Sequence, residues 1–217
     1  MIVLKVDSRR PDPDSIRQAA DAIRAGELVI FPTETVYGLA ADALSEAAVR
    51  RVFEAKGRME GHPLPVQVGG IEQLAGVVAR APVSAAILAR KFWPGPLTLV
   101  MEKAASLSEL VTAGTGKVGV RVPDHPVALA LLRELGTPIV ASSANLTGEP
   151  PAGNAEDAIR QLGGSVAVVL DSGESEIGVV STVVDVTVDP PVILRRGAIG
   201  DEAIFEALAT AGEREDG

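Results

Sequence analysis

The residues best placed to do chemistry fall in two phrases, Phe31-Pro-Thr-Glu-Thr-Val-Tyr-Gly38 and Lys56-Gly-Arg58 followed by His62-Pro-Leu64. The first follows the apolar run Leu28-Val-Ile-Phe31, whose length and β-branched content suit a buried strand that Pro32 ends. Thr33, Glu34, Thr35 and Tyr37 therefore stand at a strand end, where the loops of open α/β sheets part into ligand crevices. The second follows a helix expected from about Ser45 to Ala55, so Lys56 and Arg58 stand where a helix gives way to a loop. Lys is a mobile point charge and Arg a planar fork for two oxygens, which suits phosphate or carboxylate. The alternative is a solvated helix end, where cations favour the dipole.

Arg121 lies mid-strand among apolar neighbours and must reach water, a partner carboxylate or a ligand anion. Ser143 and Asn145 follow a strand, where turn hydrogen bonds compete with ligand contacts. Ser181 opens a strand and Arg195 ends one. Gly114-Thr-Gly-Lys117 is not a P-loop, because Val111 and Val118 occupy the places of its first Gly and its Ser or Thr. The glycines at 114, 116 and 119 precede a strand instead of joining strand to helix, so the dinucleotide reading fails as well. Two His and no Cys leave little from which to build a zinc site, and no Gly-x-Ser-x-Gly elbow occurs. What remains is cations with small hydroxyl and amide groups. That set suits chemistry done by positioning and charge neutralisation, as in transfer to or from a nucleotide phosphate.

The net charge of -9 argues against a surface that grips nucleic acid throughout. Because Lys56, Arg58, Arg121, Arg195 and Arg196 lie inside the motifs, a local anion funnel in an acidic body is expected. No apolar run of membrane-spanning length and no signal peptide appear, so a cytoplasmic protein without a membrane partner is the simplest reading. Residues 1–210 are expected to form one domain with a core over about 14–200, and the acidic 211–217 a disordered tail.

Helices are expected at Asp14–Ala25 with Asp14 as N-cap, Ile71–Val78, Val83–Phe92, Pro126–Leu135, Asn154–Leu162 with Asn154 as N-cap, and Asp201–Ala209. Strands are expected at Met1–Asp7, Leu64–Val68, Leu97–Glu102, Val118–Val122, Pro138–Ala141, Val166–Leu170, Thr182–Val186 and Val192–Arg195. Strands and helices alternate only in part, so the fold class is α/β on a mixed, twisted sheet. The Pro/Gly-rich loop Gly148–Gly153 is a candidate lid.

Pro32-Thr-Glu-Thr-Val-Tyr-Gly38, Lys56-x-Arg58 with Pro63-Leu64, Val120-Arg-Val-Pro123, Ser143-Ala-Asn145, Ser181-Thr-Val-Val-Asp185 and Ile193-Leu-Arg-Arg-Gly197 resemble, in this order, the YrdC-like threonylcarbamoyl-AMP synthases over roughly residues 14 to 200. The resemblance implies a single YrdC-like domain with a concave basic cleft, in the short form of the family. It also implies condensation of L-threonine, bicarbonate and ATP, with Mg2+ on the phosphates, toward N6-threonylcarbamoyladenosine in tRNA. Thr35, Gln67, Arg121, Ser143 and Ser181 then fall at threonine positions. Arg58, His62, Lys117, Asn145, Gly153 and Arg195 fall at ATP positions, with Lys56 and Arg58 as the catalytic cations. The implied partners are downstream threonylcarbamoyl transferase proteins and weakly bound RNA or tRNA. Three departures stand out: Gln67 where many relatives place His, Lys117 where they often have Thr, and Gly153 where a hydroxyl residue is frequent. The competing readings are the carbamoyl-adenylate chemistry of hydrogenase maturation and an RNA-binding, translation-associated module.

Overall fold

The computed structural model describes residues 1–212. The expected acidic tail lies outside the described residues except for positions 211 and 212, which close the last helix. Among the described residues eleven strands form one mixed sheet. In chain order they are β1 (Ile2–Lys5), β2 (Val29–Phe31), β3 (Gly38–Asp42), β4 (Val66–Gln67), β5 (Val78–Arg80), β6 (Leu97–Lys103), β7 (Lys117–Arg121), β8 (Ile139–Ser143), β9 (Val168–Asp171), β10 (Thr182–Asp185) and β11 (Val192–Arg195). Their spatial order is β1-β9-β2-β3-β8-β4-β7-β6-β10-β11, with β5 added on β6. The β1/β9, β2/β9, β4/β7 and β6/β10 pairs are parallel and the others antiparallel.

The helices are α1 (Pro13–Arg24), α2 (Glu46–Lys56), α3 (Val83–Phe92), α4 (Glu109–Thr112), α5 (Pro126–Leu135), α6 (Ala155–Leu162) and α7 (Asp201–Gly212). Among the described residues no helix is long and apolar enough to cross a membrane. The cap of α1 is Asp12, whose carboxylate accepts from Ser15 N at 2.9 Å, and not the expected Asp14. Pro13 explains the shift: its fixed φ and missing N–H suit the first helical position, which moves the cap one residue before it. Asn154 caps α6 as expected, accepting from Asp157 N at 2.8 Å. The segment Ile71–Gly76 is a 3-10 helix that leads into β5, a strand the sequence did not announce.

The sheet's two faces are dressed differently, and this makes the site. Side chains alternate along a strand, so Leu97, Leu99 and Met101 of β6 and Val118 and Val120 of β7 enter the larger core, which covers one face. On the opposite face, α1 and α5 seal β2, β3, β8 and β9 through Ile16, Ala19 and Ile23 against Val29, Phe31, Ala40, Ile139 and Ala141, joined by Val127 and Leu131. That second cluster takes no residue from β4, β6, β7 or β10. There the alternate positions Gln67, Thr98, Val100, Lys117, Gly119, Arg121, Val183 and Asp185 line a cavity instead.

Phe31 of β2 stands opposite Gly38 of β3, and a Cβ at Gly38 would lie 2.6 Å from the Phe31 ring. Both flank the chemistry-bearing 32–37 segment. Gly38→Ala should destabilise the fold by about 1–3 kcal/mol through overpacking; a denaturation midpoint equal to wild type would mean the ring moves freely.

Candidate functional site

The cavity has a volume of about 400 Å³. Its basic lining residues are Arg58, Lys117, Arg121 and Arg195, and Asp185 is the acidic one. Arg121, the last residue of β7, is 5% exposed and held on three sides. Its Nε donates to Gly95 O at 3.0 Å, and Nη1 donates to Thr35 Oγ1 at 2.9 Å. Its Nη2 lies 2.6 Å from Glu34 Oε1. That last contact is a buried ion pair, which matches the guanidinium's charge inside the wall. Gly95 belongs to the rigid Pro94-Gly-Pro96 turn and its N–H donates back to Val122 O at 2.9 Å.

Glu34 is therefore the carboxylate that Arg121 needed. It was visible in the first motif, but only the fold shows that the β2–β3 connection at position 34 meets a strand end at position 121. Beside Arg121 in register stands Gln67, also buried, with Oε1 facing no partner. Ser142, at the end of β8, is a buried lining residue that sequence reasoning did not single out, and its Oγ too has no partner.

Across the cavity Ser181 Oγ sits 2.9 Å from Thr98 Oγ1 and accepts from Arg195 Nη2 at 2.9 Å. Arg195 also donates to Ser181 O from Nε and Nη2. Burial first, and the charge of Arg121 second, push the Arg195 pKa down, as two cations sharing one cavity would. Lys117 donates to Asp185 Oδ2 at 2.9 Å, and Thr187 donates twice to Oδ1. Desolvation acts to raise the Asp185 pKa, but these hydrogen bonds outweigh it and hold the carboxyl below its usual range.

The Sua5/YciO/YrdC family model, described as telomere recombination, matches residues 21–197. The chain belongs to the Sua5/YciO/YrdC family. It is 49% identical over 194 residues to the Bacillus subtilis threonylcarbamoyl-AMP synthase and 47% identical over 193 residues to that of Pyrococcus abyssi. Each alignment takes in 89% of this chain but only 56% and 57% of those relatives, so the chain spans little more than half their length. A crystal structure of Pyrococcus abyssi Sua5 complexed with L-threonine superimposes with a TM-score of 0.93 at 44% identity, covering 96% of this chain and 61% of that one.

Of the positions that resemblance to this Sua5/YciO/YrdC family marks, Thr35, Arg58, Gln67, Lys117, Arg121, Ser143, Ser181 and Arg195 line the cavity together. His62, Asn145, Gly153 and Lys56 are not among its lining residues. His62 is exposed in the loop after α2. The Gly148–Gly153 loop adds no lining residue, and it is tied down by Asn145 Nδ2 to Glu149 O at 2.8 Å and by Tyr37 N to Ala152 O at 2.9 Å.

Lys56 ends α2, where Ser45 caps the start and left-handed Gly57 the finish. Its side chain is 3% exposed, and Nζ donates to Ser143 O and Asn145 O, both at 2.5 Å. It thus clamps the loop that leaves β8, an arrangement in which backbone dipoles stand in for a counter-ion. Burial first, then the charge of Arg58, lower its pKa from 10.5 to about 8. Between those values the folded protein holds fewer protons than the unfolded chain, so this group makes stability rise with pH across the window. Relative to Lys56→Met, the wild type's denaturation midpoint should therefore gain between about pH 8 and about pH 10; a constant difference would mean that the amine titrates as it does in water.

Proposed function

We propose that the chain joins L-threonine, bicarbonate and ATP into threonylcarbamoyl-adenylate with release of pyrophosphate. The observation that carries this reading is one cavity in which buried Arg121, paired with Glu34, stands beside Thr35, Gln67 and the Ser181–Arg195 pair. That wall suits an amino acid, with the Ser181–Arg195 donors for its carboxylate and Thr35 and Gln67 as acceptors for amine and hydroxyl. Arg58 and Lys117 line the same cavity and suit phosphate oxygens.

In this reading the threonine amine adds to the one-carbon unit, forming an N–C bond and losing water from bicarbonate. A carbamate oxygen then attacks the α-phosphorus of ATP, and the bond to the leaving pyrophosphate breaks. The protein contributes orientation and charge rather than a covalent intermediate. Mg2+ would enter as the nucleotide's counter-ion. Among the described residues no three His, Cys, Asp or Glu converge, and Asp185 is occupied by Lys117 and Thr187. The product would pass to threonylcarbamoyl transferase proteins acting on tRNA.

The test is pyrophosphate release from ATP and bicarbonate with each amino acid in turn. Release that requires threonine and bicarbonate together supports the synthase. Release with carbamoyl phosphate but not threonine would move the chain to carbamoyl-adenylate chemistry, and salt-dependent RNA binding without turnover would favour an RNA-binding module. Arg58→Ala should lower turnover about tenfold or more with the fold intact, by loss of a charge-assisted contact of about 1.5–3 kcal/mol; near-normal turnover would remove Arg58 from the site.

A further inference from the structure

The direction of hydrogen bonds in the cavity follows from counting protons, because a hydroxyl has one proton and two lone pairs. Thr33 Oγ1 lies 2.6 Å from the carbonyl oxygen of Val36. A carbonyl has no proton to offer, so the single Thr33 proton lies in that contact. Thr33 Oγ1 is also 2.9 Å from Thr35 Oγ1, and with its own proton committed to Val36 O it can only accept there, its other lone pair being shared by the two longer contacts, 3.3 Å each, from Thr35 N and Val36 N. The Thr35 proton therefore points at Thr33. Thr35 Oγ1 in turn accepts from Arg121 Nη1 at 2.9 Å, and a guanidinium only donates. Its proton and one lone pair are spent. What Thr35 has left for the cavity it lines is a lone pair.

The other hydroxyl pair has the opposite bias. Ser181 Oγ accepts from Arg195 Nη2 and lies 2.9 Å from Thr98 Oγ1. Two protons belong to this pair and one suffices to join them. The second is left over for an acceptor on a ligand. Thr33, Thr35, Thr98 and Ser181 are all buried, so bulk water does not erase these directions.

We propose that Thr33 is a positioning residue: by taking the Thr35 proton it locks Thr35 as an acceptor. This end of the cavity then selects a ligand group that carries a proton, an amine or a hydroxyl, and turns away a carboxylate or phosphate oxygen. The Thr98–Ser181 pair receives the acceptor instead. This rests on the amino-acid reading above, in which the proton-bearing group is the substrate's amine or hydroxyl.

Thr33→Val keeps the side chain's volume, frees the Thr35 proton to donate into the cavity, and also gives up the hydroxyl's turn contacts with Val36 O, Thr35 N and Val36 N, which Thr33→Ser retains. Thr33→Ser restores the acceptor. In the pyrophosphate assay Thr33→Val should raise the KM for L-threonine about tenfold with kcat within about twofold, and Thr33→Ser should stay near wild type. Discrimination against O-methyl-L-threonine, which lacks the hydroxyl proton, should also fall several-fold in Thr33→Val, a change that mere loosening of the fold would not produce. An unchanged KM together with unchanged discrimination would overturn the proposal. A second readout needs no substrate. In the free protein the Thr35 hydroxyl proton should exchange slowly by NMR, and its signal should vanish in Thr33→Val. A fast-exchanging Thr35 proton in the wild type would overturn the proposal by itself. Slow exchange with no threonine-dependent release would instead put the fault in the functional reading.

Discussion

A guanidinium buried at the floor of a cavity is the constraint that the rest of this site answers to. Taking a charge out of water costs several kcal/mol unless it is matched in place, and Arg121 is matched from three separate parts of the chain: Glu34, Thr35 and Gly95. Each has to arrive on its own backbone. The β2–β3 connection brings the first two, and the proline-braced turn before β6 brings the third. The contact with Glu34, 2.6 Å from Nη2, neutralises the charge inside the wall.

Lys56 meets the same problem by another route. Among the described residues no carboxylate pairs with it, and the Ser143 and Asn145 carbonyls at the end of β8 accept hydrogen bonds from its ammonium. Dipoles compensate a buried charge less fully than a counter-ion does, and accordingly its pKa falls to about 8. The clamp ties α2 to the strand end that carries Ser142 and Ser143, so the Lys-x-Arg motif divides its labour. Lys56 holds the wall from behind while Arg58 faces the cavity.

The cavity itself exists because helices cover only half of one sheet face. On β2, β3 and β8 both faces are apolar, Val29 and Phe31 on one side and Ile30 and Leu39 on the other, and α1 and α5 close the second layer. On β6, β7 and β10 the second face mixes Val100 and Val183 with Thr98, Lys117, Gly119, Arg121 and Asp185, whose charged and polar members no helix could bury cheaply. The sheet is left open where its residues are polar.

Much of this was legible in the residues. Helices α3 and α5, the Asn154 cap, strand β11 and the grouping of motifs at strand ends follow from periodicity, capping chemistry and proline placement, all of which are local. The sequence by itself therefore determined a mixed α/β domain, the family and most of the candidate residues. Only the tertiary structure decided that Gly38-Leu-Ala-Ala-Asp42 is a central strand, since small residues of weak β-propensity become a strand when β2 and β8 flank them. It alone paired Glu34 with Arg121, turned Lys56 toward a loop and brought the Thr33 and Thr35 hydroxyls together. Those are relations between atoms from distant parts of the chain, or between neighbours whose side chains only packing can aim, and no local pattern encodes them.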